Sequence, residues 1–95
     1  ARQHTVEMVK LDYFSHMSPV AKHATVAKRF ELVGFKSAWI GENLARGNEP
    51  PELVLQALQD SPGHHRNLIF GEYSRVAIAC EGEFWTMCFG GEPKD

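Results

Sequence analysis

Ninety-five residues, 43% hydrophobic and 23% charged, suffice for one globular domain and are too few for two. A formal charge of −2 with no Lys/Arg block excludes the electrostatic footprint of a nucleic-acid binder. No apolar run approaches the roughly 18 residues of a membrane-spanning helix.

The chain opens without a charged n-region and apolar h-region and without an initiator methionine, which suggests a processed or trimmed product. Protonating all five histidines would move the charge from −2 to +3, so its sign should flip in mildly acidic conditions.

In chain order, Arg2 to about Lys10 has few breakers and sets Val6, Val9 and Tyr13 at helical spacing. A Ser/Pro turn follows. Val20–Val33 then places Val20, Ala24, Ala27 and Phe30 or Glu31 on successive turns and ends at Gly34, which suits a left-handed C′ position. Ser37–Ile40 reads as a short extended stretch, resumed by Leu44–Arg46 beyond a turn-like Gly41-Glu42-Asn43. Pro50-Pro51 announces a third helix with Leu53, Val54, Ala57 and Leu58 as its stripe, stopping at Ser61-Pro62-Gly63. His64–Ile69 forms another short helix with Leu68, Ile69 and Phe70 pointing inward.

Val76–Cys80 and Phe84–Phe89 read as strands around the turn Glu81-Gly82-Glu83. That hairpin sets Cys88 near Ala77, about three residues and roughly 10 Å from Cys80, too far for a disulfide. Two free, mostly buried thiols are expected, and Gly90 to Asp95 as a frayed tail. Helices followed by an antiparallel hairpin predict a single α+β domain over residues 1–95, with helices covering a small sheet.

Three segments concentrate the chemistry: Phe14-Ser15-His16-Met17-Ser18-Pro19, Gly41-Glu42-Asn43 and Ser61-Pro62-Gly63-His64. Each sets one ionisable side chain among turn formers, and a His, Glu, His set is what a metal ion or an acid/base site needs. The bland alternatives are a histidine bonded to a loop carbonyl and a carboxylate that is solvated or accepts turn N–H groups. His4 and His23 lack a second ligand at helical spacing and read as surface residues. Met8, Met17, Met87, Trp39, Trp85, Phe84 and Phe89 read as core. The HExxH, Walker A, GxSxG and paired CxxC patterns are absent.

Taken in order, these segments resemble the bacterial form of the CAP superfamily, or SCP domain, which includes cysteine-rich secretory proteins, venom antigens and pathogenesis-related proteins. The likeness runs from about Met8 to Gly90. It rests on Phe14-Ser15-His16 with Ser18-Pro19, Gly41-Glu42-Asn43-Leu44-Ala45, Ser61-Pro62-Gly63-His64 with Asn67-Leu68-Ile69, and Trp85-Thr86 with Phe89-Gly90. It implies an α-β-α sandwich with a central antiparallel sheet, an extracellular or cell-surface setting, and a cleft where His16, Glu42 and His64 bind a divalent cation. Zinc suits two imidazoles better than calcium.

The chain departs from the pattern where a second glutamate is expected. Leu58-Gln59-Asp60-Ser61 stands there, with Asp60 a loose substitute. His65 replaces a frequent arginine and Met87 a common glutamine, and the upstream part of the first helix is missing. The expected function is a non-enzymatic extracellular binding module with a cation-capable His16, Glu42 and His64 cleft, its partner an unknown small ligand, lipid or protein. The alternatives are a metal-assisted hydrolase, with His16 or His64 as base and Glu42 orienting it, and a lipid- or protein-binding scaffold.

Overall fold

The computed structural model describes residues 1–93. The chain runs α1 (Arg2–Leu11), a 3-10 turn (Ala21–His23), α2 (Val26–Leu32), β1 (Ile40–Arg46), α3 (Pro51–Asp60), α4 (Pro62–Ile69), β2 (Arg75–Glu81) and β3 (Phe84–Gly90). The three strands form one antiparallel sheet in the order β1-β3-β2. The fold is α+β, an α-β-α sandwich around a small sheet, as expected.

Side chains alternate across a strand, so Glu42 and Leu44 of β1 share one face with Thr86 of β3, and Asn43 points to the other. The first face is covered by α1, which crosses β2 and β3, and by α2 against β1. Met8, Leu44 and Phe84 form the core there, with Tyr13 against them. On the other face α4 rests on β1, α3 packs on α4, and Tyr73 stacks on Phe89. A Cβ at Gly41 would collide with the Tyr73 hydroxyl, so only glycine lets this ring close over β1.

The hairpin register is the expected one: Cys88 faces Ala77, Cys80 faces Trp85, and both thiols are free. Proline opens α3 at its first position. Gly34 takes φ 75 after α2, as a helix-ending glycine should.

Several expectations are corrected. The helix over Val20–Val33 is two pieces, because Thr25 is extended (φ −122, ψ 163) and its hydroxyl accepts from the Lys28 N–H at 3.1 Å, capping α2 afresh. Gly41-Glu42-Asn43 is no turn but the middle of one continuous strand, held by seven consecutive pairings with β3. Helix α4 starts at Pro62 rather than His64, and Ile69 and Phe70 are exposed. Cys80 is exposed because β2 is an edge strand whose second face carries no helix. Met17 and Trp39 are exposed. Gly90 and Gly91 are ordered parts of the sheet end, with the Gly91 N–H donating to the Trp39 carbonyl at 2.8 Å. Lys94 and Asp95 lie outside the described residues. Among those described, no helix is long and apolar enough to cross a membrane.

Candidate functional site

The strand β1 carries Glu42 into the interior, where its side chain is 1% exposed. A buried carboxylate is costly unless paired. Arg29 supplies the pair, with Nη2 at 2.9 Å from each carboxylate oxygen. Its other nitrogen, Nη1, donates to the carbonyls of His16 at 3.0 Å and His23 at 2.8 Å. One guanidinium therefore ties α2 to β1, to the His16 loop and to the 3-10 turn.

His16 meets Glu42 as the sequence suggested. Its Nδ1 lies 2.8 Å from Glu42 Oε1, while the ring is 53% exposed. In the neutral ring the proton belongs on Nδ1, facing the carboxylate, and the lone pair is on Nε2. A carboxylate that fixes the tautomer of an exposed imidazole is half of an acid/base site.

His64 is placed elsewhere. The Asn43 amide, on the strand face opposite Glu42, donates to the His64 carbonyl at 3.1 Å, and Asn67 bonds Asn43 Oδ1 at 2.9 Å. The His64 ring sits 2.9 Å from Ser61 Oγ and is within hydrogen-bond or ion-pair distance of neither His16 nor Glu42. Asp60 accepts from Gln56 on the surface and does not supply a second acid to the cleft.

The second carboxylate is Glu7. It accepts from Ser18 and, at 2.6 Å, from Tyr13, while His23 Nδ1 stands 2.6 Å from its other oxygen. Burial pushes Glu7 up, but the hydrogen bonds from Ser18, Tyr13 and His23 outweigh it and hold the carboxyl at about 2. Burial and the Glu7 bond raise Tyr13 to about 12.

His4 and His23 are therefore not surface residues. His4 is buried with Thr5 and Met8 because α1 turns a polar stripe to polar partners. His4 Nε2 bonds the Ser15 carbonyl at 2.9 Å, and Thr5 Oγ1 lies 2.8 Å from Thr86 Oγ1. Burial lowers the His4 pKa against the pull of Glu42, so the ring is neutral with its proton on Nε2.

Sequence reasoning missed Arg29, His4 and Glu7. Arg29 had a signal: it falls at helical spacing beside the apolar Val26 and Phe30 of α2, where a charge implies a buried partner. Glu7 had none.

Beside the Arg29–Glu42 pair lies a cavity of about 500 Å³ between α1, α2 and the sheet. Val26, Phe30, Val33 and Phe35 form one wall, and Ala77 and Cys88 form the floor. Arg2 and Arg75, both exposed, also border it. Burial pushes the Cys88 thiol up, which keeps it protonated.

As arranged, the donors do not fit a closed metal site. Both Glu42 oxygens are held by Arg29, His64 is turned to Ser61, and no group of three His, Cys, Asp or Glu side chains able to hold an ion occurs among the described residues.

No protein-family model matches the chain. It is 30% identical over 99 residues to the uncharacterized protein YkwD of Bacillus subtilis (strain 168), covering 97% of this chain and 36% of that protein. It is 27% identical over 88 residues to the uncharacterized membrane protein YlbC of the same organism, covering 90% of this chain and 24% of that one. A crystal structure of an extracellular protein containing an SCP domain, from Bacillus anthracis str. Ames, superposes with a TM-score of 0.90 at 27% identity, over 97% of this chain and 30% of that one. The chain thus spans about a third or less of the length of these relatives. The chain shares the architecture of that SCP domain, which bears out the resemblance to the CAP superfamily carried by the His16, Glu42 and His64 segments in their order.

Proposed function

We propose that the chain is an extracellular or cell-surface binding module, which takes a small ligand with an apolar body and an anionic head into the cavity beside Arg29 and Glu42. The cavity carries this reading. Its volume of about 500 Å³ falls within the roughly 300–1,000 Å³ of ligand pockets. Its walls are apolar, and Arg2 and Arg75 bring positive charge to its border. The extracellular setting draws support from the Bacillus anthracis neighbour. Calorimetric titration with palmitate tests the proposal, using Ala77→Trp to fill the cavity. Binding by the wild type that weakens at least tenfold in the variant is expected. No heat, or equal binding by both, contradicts it.

A divalent cation at His16, Glu42 and His64 is a second proposal, favoured by one observation: the half-exposed His16 ring is braced through Nδ1 by Glu42, so its Nε2 is not used in that bond. Zinc is the better match for imidazole. Binding requires Arg29 to release a Glu42 oxygen and His64 to leave Ser61. Titration with Zn²⁺ and Ca²⁺ decides it. Zinc affinity abolished in the His16→Ala, His64→Ala double variant supports it, and an absent or unchanged affinity removes it.

The hydrolase reading is favoured by Ser61 Oγ at 2.9 Å from His64 Nδ1, at the start of α4. The two halves of a catalytic set do not meet, however. The histidine with a serine has no carboxylate, and the histidine with a carboxylate has no bonded serine. Ester hydrolysis lost in both Ser61→Ala and His64→Ala would support this reading, and no turnover by the wild type would end it.

A further inference from the structure

Strand β2 is an edge of the sheet, and among the described residues no backbone hydrogen bond reaches its outer side. Natural edges are blunted by proline, an inward charge, a bulge or a covering segment. Arg75-Val76-Ala77-Ile78-Ala79-Cys80-Glu81 has none of these along its centre and pairs with β3 without a break. Val76 and Ile78 are 57% and 60% exposed on the face that α4 leaves uncovered.

From this edge we infer that two copies of the chain associate through β2, antiparallel about a twofold axis at Ile78, into one continuous six-stranded sheet. The charges select this register. With Ile78 opposite its own copy, Val76 faces Cys80, Ala77 faces Ala79, and Arg75 faces Glu81, twice per dimer. A shift of two residues keeps the faces but sets Arg75 against Ala79 in one direction and, in the other, against Glu83, which lies beyond the strand in the hairpin turn and is already paired with Arg46. A parallel pairing in register sets like charges together.

The remaining surfaces suit the same arrangement. The exposed Val76 and Ile78 extend a single apolar strip across the axis, and small alanines line the opposite face where the helices approach. Helix α1 lies across β2 and β3, so its two copies stand roughly 10 Å apart, a normal interhelical spacing. Val6 lines the groove between α1 and the outer side of β2, and Val9 is exposed further along the helix. The occupant is a second copy because the strand is complementary to itself in charge, size and polarity.

Sedimentation equilibrium of the 95-residue chain, in a concentration series, tests this. A monomer–dimer equilibrium is expected. Arg75→Glu alone and Glu81→Arg alone each place like charges across the axis and raise the dissociation constant about tenfold or more. An equimolar mixture of these two single variants restores association as a heterodimer, since each supplies the charge the other lacks. Ile78→Lys, at an exposed position that leaves the fold intact by circular dichroism, abolishes the dimer. A wild type that stays monomeric at millimolar concentration overturns the inference, as does a dimer indifferent to Ile78→Lys or singles whose mixture gains nothing.

Discussion

Strands β1 and β2 flank the same central strand, yet Glu42, Asn43 and Leu44 of β1 are buried while six of the seven β2 residues are exposed. On the β1 side, helices from both layers arrive bearing polar groups, and among the described residues no buried side-chain nitrogen or oxygen lacks a partner. On the β2 side the sheet is covered on one face only. The difference shows where this small domain concentrates its order: a bonded polar network organises the cleft, while the opposite edge keeps free backbone and apolar side chains available.

The strongest way to break the comparison is to remove one member of the buried pair. Glu42→Ala leaves the Arg29 guanidinium buried without its carboxylate and should cost about 3–5 kcal/mol in urea unfolding, enough to threaten the fold. Met8→Ala opens a hole under the same network and should cost about 2–5 kcal/mol by the same measurement. By contrast, Ile78→Ser on the β2 edge should change monomer stability by no more than about 0.5 kcal/mol. Equal losses at Glu42 and Ile78 would erase the distinction between the two edges.

Acid sharpens it further. Glu7 titrates near 4.5 when unfolded and at about 2 when folded, so the stability it contributes is complete above 4.5 and is lost as pH falls towards 2. His4 has its folded pKa below 6.5, and its contribution is likewise lost as pH falls below 6.5 and the unfolded chain takes up the proton. Thermal melts from pH 7 to pH 2 should show both limbs. Glu7→Gln should flatten the lower one and leave the upper one in place.

How much of this was legible in the sequence depends on whether a signal was local. The β2–β3 hairpin was legible because Gly82 separates two runs rich in β-branched and aromatic residues, and α3 because Pro51 opens it. The break at Thr25 was hidden, since its capping bond competes with a helical pattern that runs through it. Glycine and asparagine made Gly41-Glu42-Asn43 look like a turn, whereas pairing with β3 and the closeness of Tyr73 require an extended strand with a glycine in it. At the site, the meeting of His16 with Glu42 followed from segment order. His4 and Glu7 did not, and Arg29 left only the hint of a charge within an apolar stripe, because the partners of each are brought near only by the tertiary fold.

The two free cysteines report on the two regions at once, Cys88 from the cavity floor and Cys80 from the exposed edge. The rate at which each thiol reacts with iodoacetamide, with and without palmitate at low-micromolar chain, tests the binding account most directly. A ligand seated beside Arg29 and Glu42 should slow Cys88 at least tenfold and leave Cys80 unchanged. Cys88 reacting at the same rate in both conditions, or both cysteines slowing together, would contradict it.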